Sequence, residues 1–154
     1  MAEKLNSMRL LDQQKIAYTV REFPESIHSA DGVADFLGLP RRQVYKTLVV
    51  LPADGKPVLV MVPGSRELNL KNVAAAMGQK KVYMASHKEA EKLTGLQTGG
   101  ISALALRHKN FAVFLDRPAL ELDAILVSAG KRGVNLELAV ADLIRVTGAQ
   151  IIDA

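Results

Sequence analysis

The sequence predicts an α+β fold: a mixed, mostly antiparallel sheet, curled or barrel-like, with surrounding helices. Three observations carry that prediction. Short runs of β-branched and aliphatic residues recur along the chain, and turn residues join several of them as hairpins. Segments with apolar residues at helical spacing interrupt those runs, without the strict βαβ alternation of a doubly wound sheet. The 154 residues are 49% apolar and 23% charged, enough to bury one core without a disulfide or metal staple, so residues 1–154 read as a single domain.

Leu5, Met8 and Leu11 recur at helical spacing in Lys4–Gln14 and predict a first amphipathic helix. Ile16, Tyr18 and Val20 alternate with polar residues as a half-buried strand that Pro24 ends. Ser29 suits the cap of a short helix with Val33, Phe36 and Leu37 inward and Gly38 as its stop. The run Val44–Leu51 reads as a buried strand, and Asp54-Gly55 turns it back into Val58–Val62. Asn69 caps a helix through Met77, closed by Gly78, and a short strand follows at Val82–Met84. Ser86 and Glu89 have capping-box spacing before a helix to Leu93. Gly95 to Ser102 is a glycine-rich loop. Strands are predicted at Ala112–Leu115, Ala124–Ser128 and Val134–Glu137, a helix at Ala139–Thr147 with Gly148 as its cap, and an edge strand at Gln150–Ile152.

Composition narrows the function classes. There are no cysteines, which excludes a disulfide framework, a thiolate nucleophile and thiolate metal ligation. Met1-Ala2-Glu3-Lys4 leads into a mixed polar and apolar stretch with no signal-peptide core, and no apolar run approaches the roughly 20 residues of a membrane span. The expectation is a soluble, cytoplasmic protein without a membrane partner. Twenty Lys and Arg against sixteen Asp and Glu give a formal charge of +4, which permits a polyanionic partner but does not establish one.

Lys46 is the conspicuous residue. Strand alternation puts it on one face with Val44, Leu48 and Val50, and an unpaired buried ammonium costs several kcal/mol. Three readings follow: the head snorkels to the rim, an internal acid pairs with it, or it faces a ligand cleft. Two glycine-rich turns are the other features. Thr98-Gly99-Gly100-Ile101-Ser102 could offer backbone amides to an anion, or be an ordinary turn needing positive φ. Ser128-Ala129-Gly130-Lys131-Arg132-Gly133 could grip phosphate without being a Walker motif, or be a solvated hairpin tip. His28, His87 and His108 lack metal-ligand spacing, and Ser102 lacks a nucleophile frame.

Taken together, Gln43-Val44-Tyr45-Lys46-Thr47-Leu48, Gly99-Gly100-Ile101-Ser102 and Gly130-Lys131-Arg132-Gly133, with Leu37-Gly38-Leu39, Leu70-Lys71-Asn72-Val73-Ala74, Thr94-Gly95 and Val127-Ser128 between them, resemble the YbaK/EbsC family of aminoacyl-tRNA deacylases, related to the editing domain of bacterial prolyl-tRNA synthetases. The resemblance runs from about Ile16 to Ile151. It implies a stand-alone, metal-free and cofactor-free hydrolase that clears mischarged tRNA in trans, typically Cys-tRNA(Pro). The alternatives are the same fold clearing another small amino acid such as alanine, or a non-catalytic module that binds tRNA or a synthetase. The implied partners are aminoacyl-tRNA and, as a candidate, prolyl-tRNA synthetase.

The resemblance implies that the lysine matching Lys46 is essential and that the residues matching Gly100 and Ser128 line the pocket, and the chemistry of an activated ester gives these parts roles. Lys46 would fix the terminal adenosine or the ester, the Gly99 and Gly100 amides would hold the developing oxyanion, and Ser128 would orient the attacking group or the ribose hydroxyl. Lys131 and Arg132 would contact terminal phosphates. Phe23, Tyr45, Thr47, Ile101, Ser102 and Asn135 complete the substrate-binding set. Phe23 stands where some relatives have tyrosine, Asn135 where aspartate is common, Ala103 in place of a proline and Ala129 in place of a glycine. These departures bear on the amino acid selected.

Overall fold

The computed structural model describes residues 4–154, so the reading made on Met1–Glu3 lies outside the described residues. Strands fall into two sheets. The smaller orders β1 (Tyr18–Glu22), β7 (Val134–Ala139) and β6 (Ala124–Lys131), with both pairings antiparallel. The larger orders β4 (Val82–Met84), β2 (Tyr45–Pro52), β3 (Val58–Pro63), β5 (Ala112–Asp116) and β8 (Gln150–Ile152). Here β2 runs antiparallel to β3 and β4, while β3–β5 and β5–β8 are parallel. A parallel bridge between Val44 and Leu126 joins the sheets, which do not close into a barrel. The mixed, mostly antiparallel α+β arrangement is the one the sequence predicts.

The helices stand where their caps place them. They are α1 (Asn6–Gln13), α2 (Ala30–Leu37), α3 (Leu70–Met77), α4 (His87–Thr94) and α5 (Val140–Thr147). Ser29 Oγ accepts the Gly32 amide at 2.9 Å, Asn69 Oδ1 accepts the Asn72 amide, and Ser86 and Glu89 form the reciprocal capping box. Two details depart from expectation. Phe36 is 56% exposed, because Val33 and Ala34 form the buried stripe of this short helix, with Leu37 packed beside them. Ala139 is still extended (φ −61°, ψ 136°), so α5 starts one residue later. The 3-10 turns at Arg41–Gln43, Arg107–Lys109 and Arg117–Glu121 are too short to leave a periodic signal.

One feature of the pairing positions the site. β4 pairs with β2 only over Val50–Pro52. Tyr45–Val49 therefore has β3 on one side and no strand ladder on the other.

Candidate active site

A cleft of about 270 Å³ lies along that open edge of β2. Its other walls come from Phe23 and the turn into α2, from the segment entering α4, from Thr98, Gly99 and Ile101, and from Ser128 and Asn135 of the smaller sheet. Tyr45, Lys46 and Thr47 also border it. Residues far apart in sequence thus share one concavity.

Lys46 lies on the strand face its alternation predicts and reaches the cleft. Its Nζ donates to the Gly64 carbonyl at 3.2 Å. Among the described residues no carboxylate pairs with it, so the internal-acid reading is removed and the head stands at the cleft border. A lysine head carries three donors, so two remain for a ligand. Gly64 was not singled out by sequence. It follows β3, donates its amide to Val44 O at 3.1 Å, and has no room for a Cβ against Ala30. The lysine's anchor is therefore a backbone group wedged between a strand end and α2.

The ladder fixes what the open edge presents. Val44 turns its carbonyl toward Gly64 and Val49 turns its carbonyl outward to the Ala85 amide at 3.0 Å. By strand alternation, the Thr47 N–H and C=O face the cleft side. The Thr47 hydroxyl is buried without a hydrogen-bond partner.

Tyr45 does less than its motif implies. Its ring lies on the face opposite Lys46, and its hydroxyl is buried and unpartnered. Burial pushes its pKa up to about 12, with the Asp116 charge adding to the rise and Arg66 opposing it. Neither Asp116 nor Arg66 lines the cleft. The strand at Tyr45 borders the site; the phenol end serves the core behind it.

Ser128 and Asn135 are cross-strand partners on β6 and β7, 9% and 5% exposed. Ser128 Oγ accepts the Gly130 amide at 3.2 Å, so the hydroxyl proton stays available to a ligand. Phe23 and Ile101 supply apolar wall.

The first glycine-rich turn divides between the cleft and the interior. Gly100 donates its amide to Gln97 O at 2.8 Å, and Gly99 between them has φ +89°, the signature of a type II turn. Gly100 is buried and outside the cleft lining, with its amide already taken by Gln97 O, so of the two glycines Gly99 is the one placed to offer an amide to the cleft. Space explains Gly100: a Cβ there would sit 3.0 Å from the Arg132 backbone nitrogen. Gly99 does line the cleft. Ser102 is wholly buried, and its Oγ accepts the Ala105 amide at 3.2 Å, so it closes a local turn rather than touching substrate.

The second turn is the tip of the β6–β7 hairpin, with a register shift between Ser128 and Lys131. Arg132 is outside the cleft lining and donates Nε to the Thr98 carbonyl at 2.6 Å, which ties this hairpin tip to the first turn. Lys131 is exposed at the end of β6, also outside the lining. His28 and His87, unremarkable in sequence, both border the cleft. Nothing in their spacing signals it, because the fold alone brings the entries to α2 and α4 together. Among the described residues no group of three or more His, Cys, Asp or Glu could hold a metal ion, and no helix is long and apolar enough to cross a membrane.

Comparison with known proteins fits this geometry. Residues 24–146 match the aminoacyl-tRNA editing domain. The chain is 40% identical over 150 residues to an Enterococcus faecalis protein named as a Cys-tRNA(Pro)/Cys-tRNA(Cys) deacylase, EbsC, covering 96% of this chain and 91% of that one. It is 31% identical over 111 residues to a proline–tRNA ligase of Staphylococcus saprophyticus, covering 72% of this chain but 19% of the ligase. A crystal structure described as a trans-editing enzyme for prolyl-tRNA synthetase superposes with a TM-score of 0.83 at 23% identity, covering 99% and 98% of the two chains. That last likeness concerns the fold.

Proposed function

The chain belongs to the aminoacyl-tRNA editing domain family, and from that premise we propose that it is a trans-acting deacylase that hydrolyses the ester of mischarged tRNA, Cys-tRNA(Pro) first among its substrates. The observation that carries this reading is convergence: Lys46, Gly99 and Ser128 border one cleft along an open strand edge. An aminoacyl ester is already activated, so its hydrolysis needs positioning and charge stabilisation more than a strong nucleophile.

Each group has a part. The free donors of Lys46 Nζ hold the ester or the terminal ribose, with the Gly64 carbonyl fixing the head. The Gly99 amide stabilises the carbonyl oxygen as attack places negative charge on it. Ser128 donates its proton to the ribose hydroxyl or orients the attacking water. The Thr47 edge carbonyl suits the substrate's α-ammonium. Water adds to the carbonyl carbon, the bond to the ribose oxygen breaks, and that oxygen takes a proton as the amino acid leaves. A cysteinyl substrate can use its own thiol for the attack: the C–S bond forms as the bond to the ribose oxygen breaks, the thiol proton passes to that oxygen, and the released thiolactone is opened by water. Phe23, Ile101 and Asn135 shape the side-chain end, and Lys131 supplies a cation beyond the cleft for acceptor-strand phosphate. We place the activity in the cytoplasm, with prolyl-tRNA synthetase as a partner that presents the tRNA.

The test is ester loss from cysteinyl-, alanyl- and seryl-charged proline tRNA. We expect the cysteinyl ester to be cleared fastest and Lys46→Ala to lower kcat/KM by roughly 100- to 1,000-fold, the scale of losing one charge-stabilising group. Tight tRNA binding without loss of any ester would leave a binding module instead.

A further inference from the structure

We propose that Arg132 is a positioning residue for this reaction: by holding the Thr98 carbonyl away from the cleft, it aims the Gly99 N–H into it. The inference rests on the deacylase reading above and deepens it.

In a trans peptide the C=O and N–H point in opposite directions. The carbonyl of the Thr98–Gly99 peptide is tied to Arg132 Nε at 2.6 Å, so the N–H of that same peptide is turned the other way. Gly99 is exposed and lines the cleft, and among the described residues no group accepts its N–H. The ends of the turn are held separately, with the Thr98 amide on Glu91 Oε2 at 2.8 Å and the Gly100 amide on Gln97 O at 2.8 Å.

Those end bonds do not choose the orientation of the middle peptide. Type I and type II turns share the same closing bond and differ by a flip of the plane between the two central residues. Most residues at the second central position would decide the matter by disfavouring positive φ. Glycine is permissive and allows both forms. Flipped, this turn would present the Thr98 carbonyl to the cleft, and its negative end would oppose an oxyanion. Arg132 is the group that bonds the carbonyl in the unflipped form, and its side chain packs 3.7 Å from where a Gly99 Cβ would lie. It comes from the β6–β7 hairpin, so the rigid turn sets the orientation of the pliable one.

The experiment compares Arg132→Gln and Arg132→Lys with the parent protein. Three quantities are read: single-turnover deacylation, tRNA affinity against salt, and the Gly99 amide resonance by 15N NMR. We expect both variants to lose tenfold or more in kcat, with KM and the salt slope of tRNA binding unchanged, and the Gly99 amide to move or split. Arg132→Lys keeps a cation but not the fixed Nε donor, so it separates aiming from charge. Weakened tRNA binding with a shallower salt slope and kcat intact would make Arg132 a phosphate contact and overturn the proposal. An unmoved Gly99 amide would overturn it as well. That resonance reports on the turn even if the parent protein hydrolyses no aminoacyl-tRNA, the result that would instead sink the deacylase reading.

Discussion

The two glycine-rich turns look alike in sequence and work differently in space. The Ser128–Gly133 turn ends an antiparallel pair, and its course is set by backbone bonds on both sides of the tip, including Phe23 N–H on Gly133 O at 3.0 Å. The Gln97–Ser102 turn belongs to no strand. Its middle is held by the Glu91 carboxylate, the Arg132 guanidinium and one internal bond, and its end by Ser102, which accepts the Ala105 and Leu106 amides. The difference teaches that a site can separate rigidity from presentation: one turn is built into the ladder, and the other is lashed to it while it offers an amide to the cleft.

Substitutions at the glycines should expose that division. The largest effect on the fold is expected at the hairpin tip. Gly133 has φ +84°, and a Cβ would meet the Phe23 carbonyl oxygen at 2.9 Å. Backbone strain and overlap together make Gly133→Ala about 2–4 kcal/mol less stable by urea unfolding. If it unfolds like the parent, the tip is not the rigid partner. A smaller effect is expected at Gly100, whose added Cβ would press on the Lys131–Arg132 backbone at 3.0 to 3.2 Å. Gly100→Ala should cost about 1 kcal/mol of stability and several-fold in kcat, because the turns must part by a few tenths of an ångström. A stability loss with kcat untouched would show that their contact does not govern the chemistry.

Acid should loosen one turn and spare the other. The bond from the Thr98 amide, with that residue's side chain close by, holds the Glu91 carboxyl below its ordinary value. A carboxylate lowered in the folded state contributes stability above its unfolded pKa and loses it as pH falls through the folded value. Amide exchange at Thr98–Gly100 should therefore rise as pH drops below about 4.5, relative to residues 128–134 and after correction for intrinsic rates. Glu91→Gln should remove that pH dependence. Matched behaviour of the two turns would deny the carboxylate its holding role.

Much of this was legible in the chain. Caps at Ser29, Asn69 and Ser86 act through their own residue and the one three places on, so local spacing suffices to place α2, α3 and α4. Lys46 was legible as a cation on an apolar strand, and Gly99 and Ser128 through a resemblance in motif order. Gly100, Ser102 and Arg132 have contacts that their motifs do not announce, for one reason. A motif records that a residue is required, but it does not distinguish contact with substrate from contact with a neighbouring turn. Gly64 and His28 were missed because each gains its place from chain elements remote in sequence.

The sequence by itself determined the elements and their caps, the strand face that carries Lys46, and the family, because these depend on residues a few positions apart or on motifs in order. Tertiary structure alone decided which strand edge stays open, which carbonyl holds the lysine, and which glycine amide is turned toward the cleft. Those outcomes depend on directions of backbone dipoles, and direction is set only when remote segments pack and use up the opposing hydrogen-bond partners.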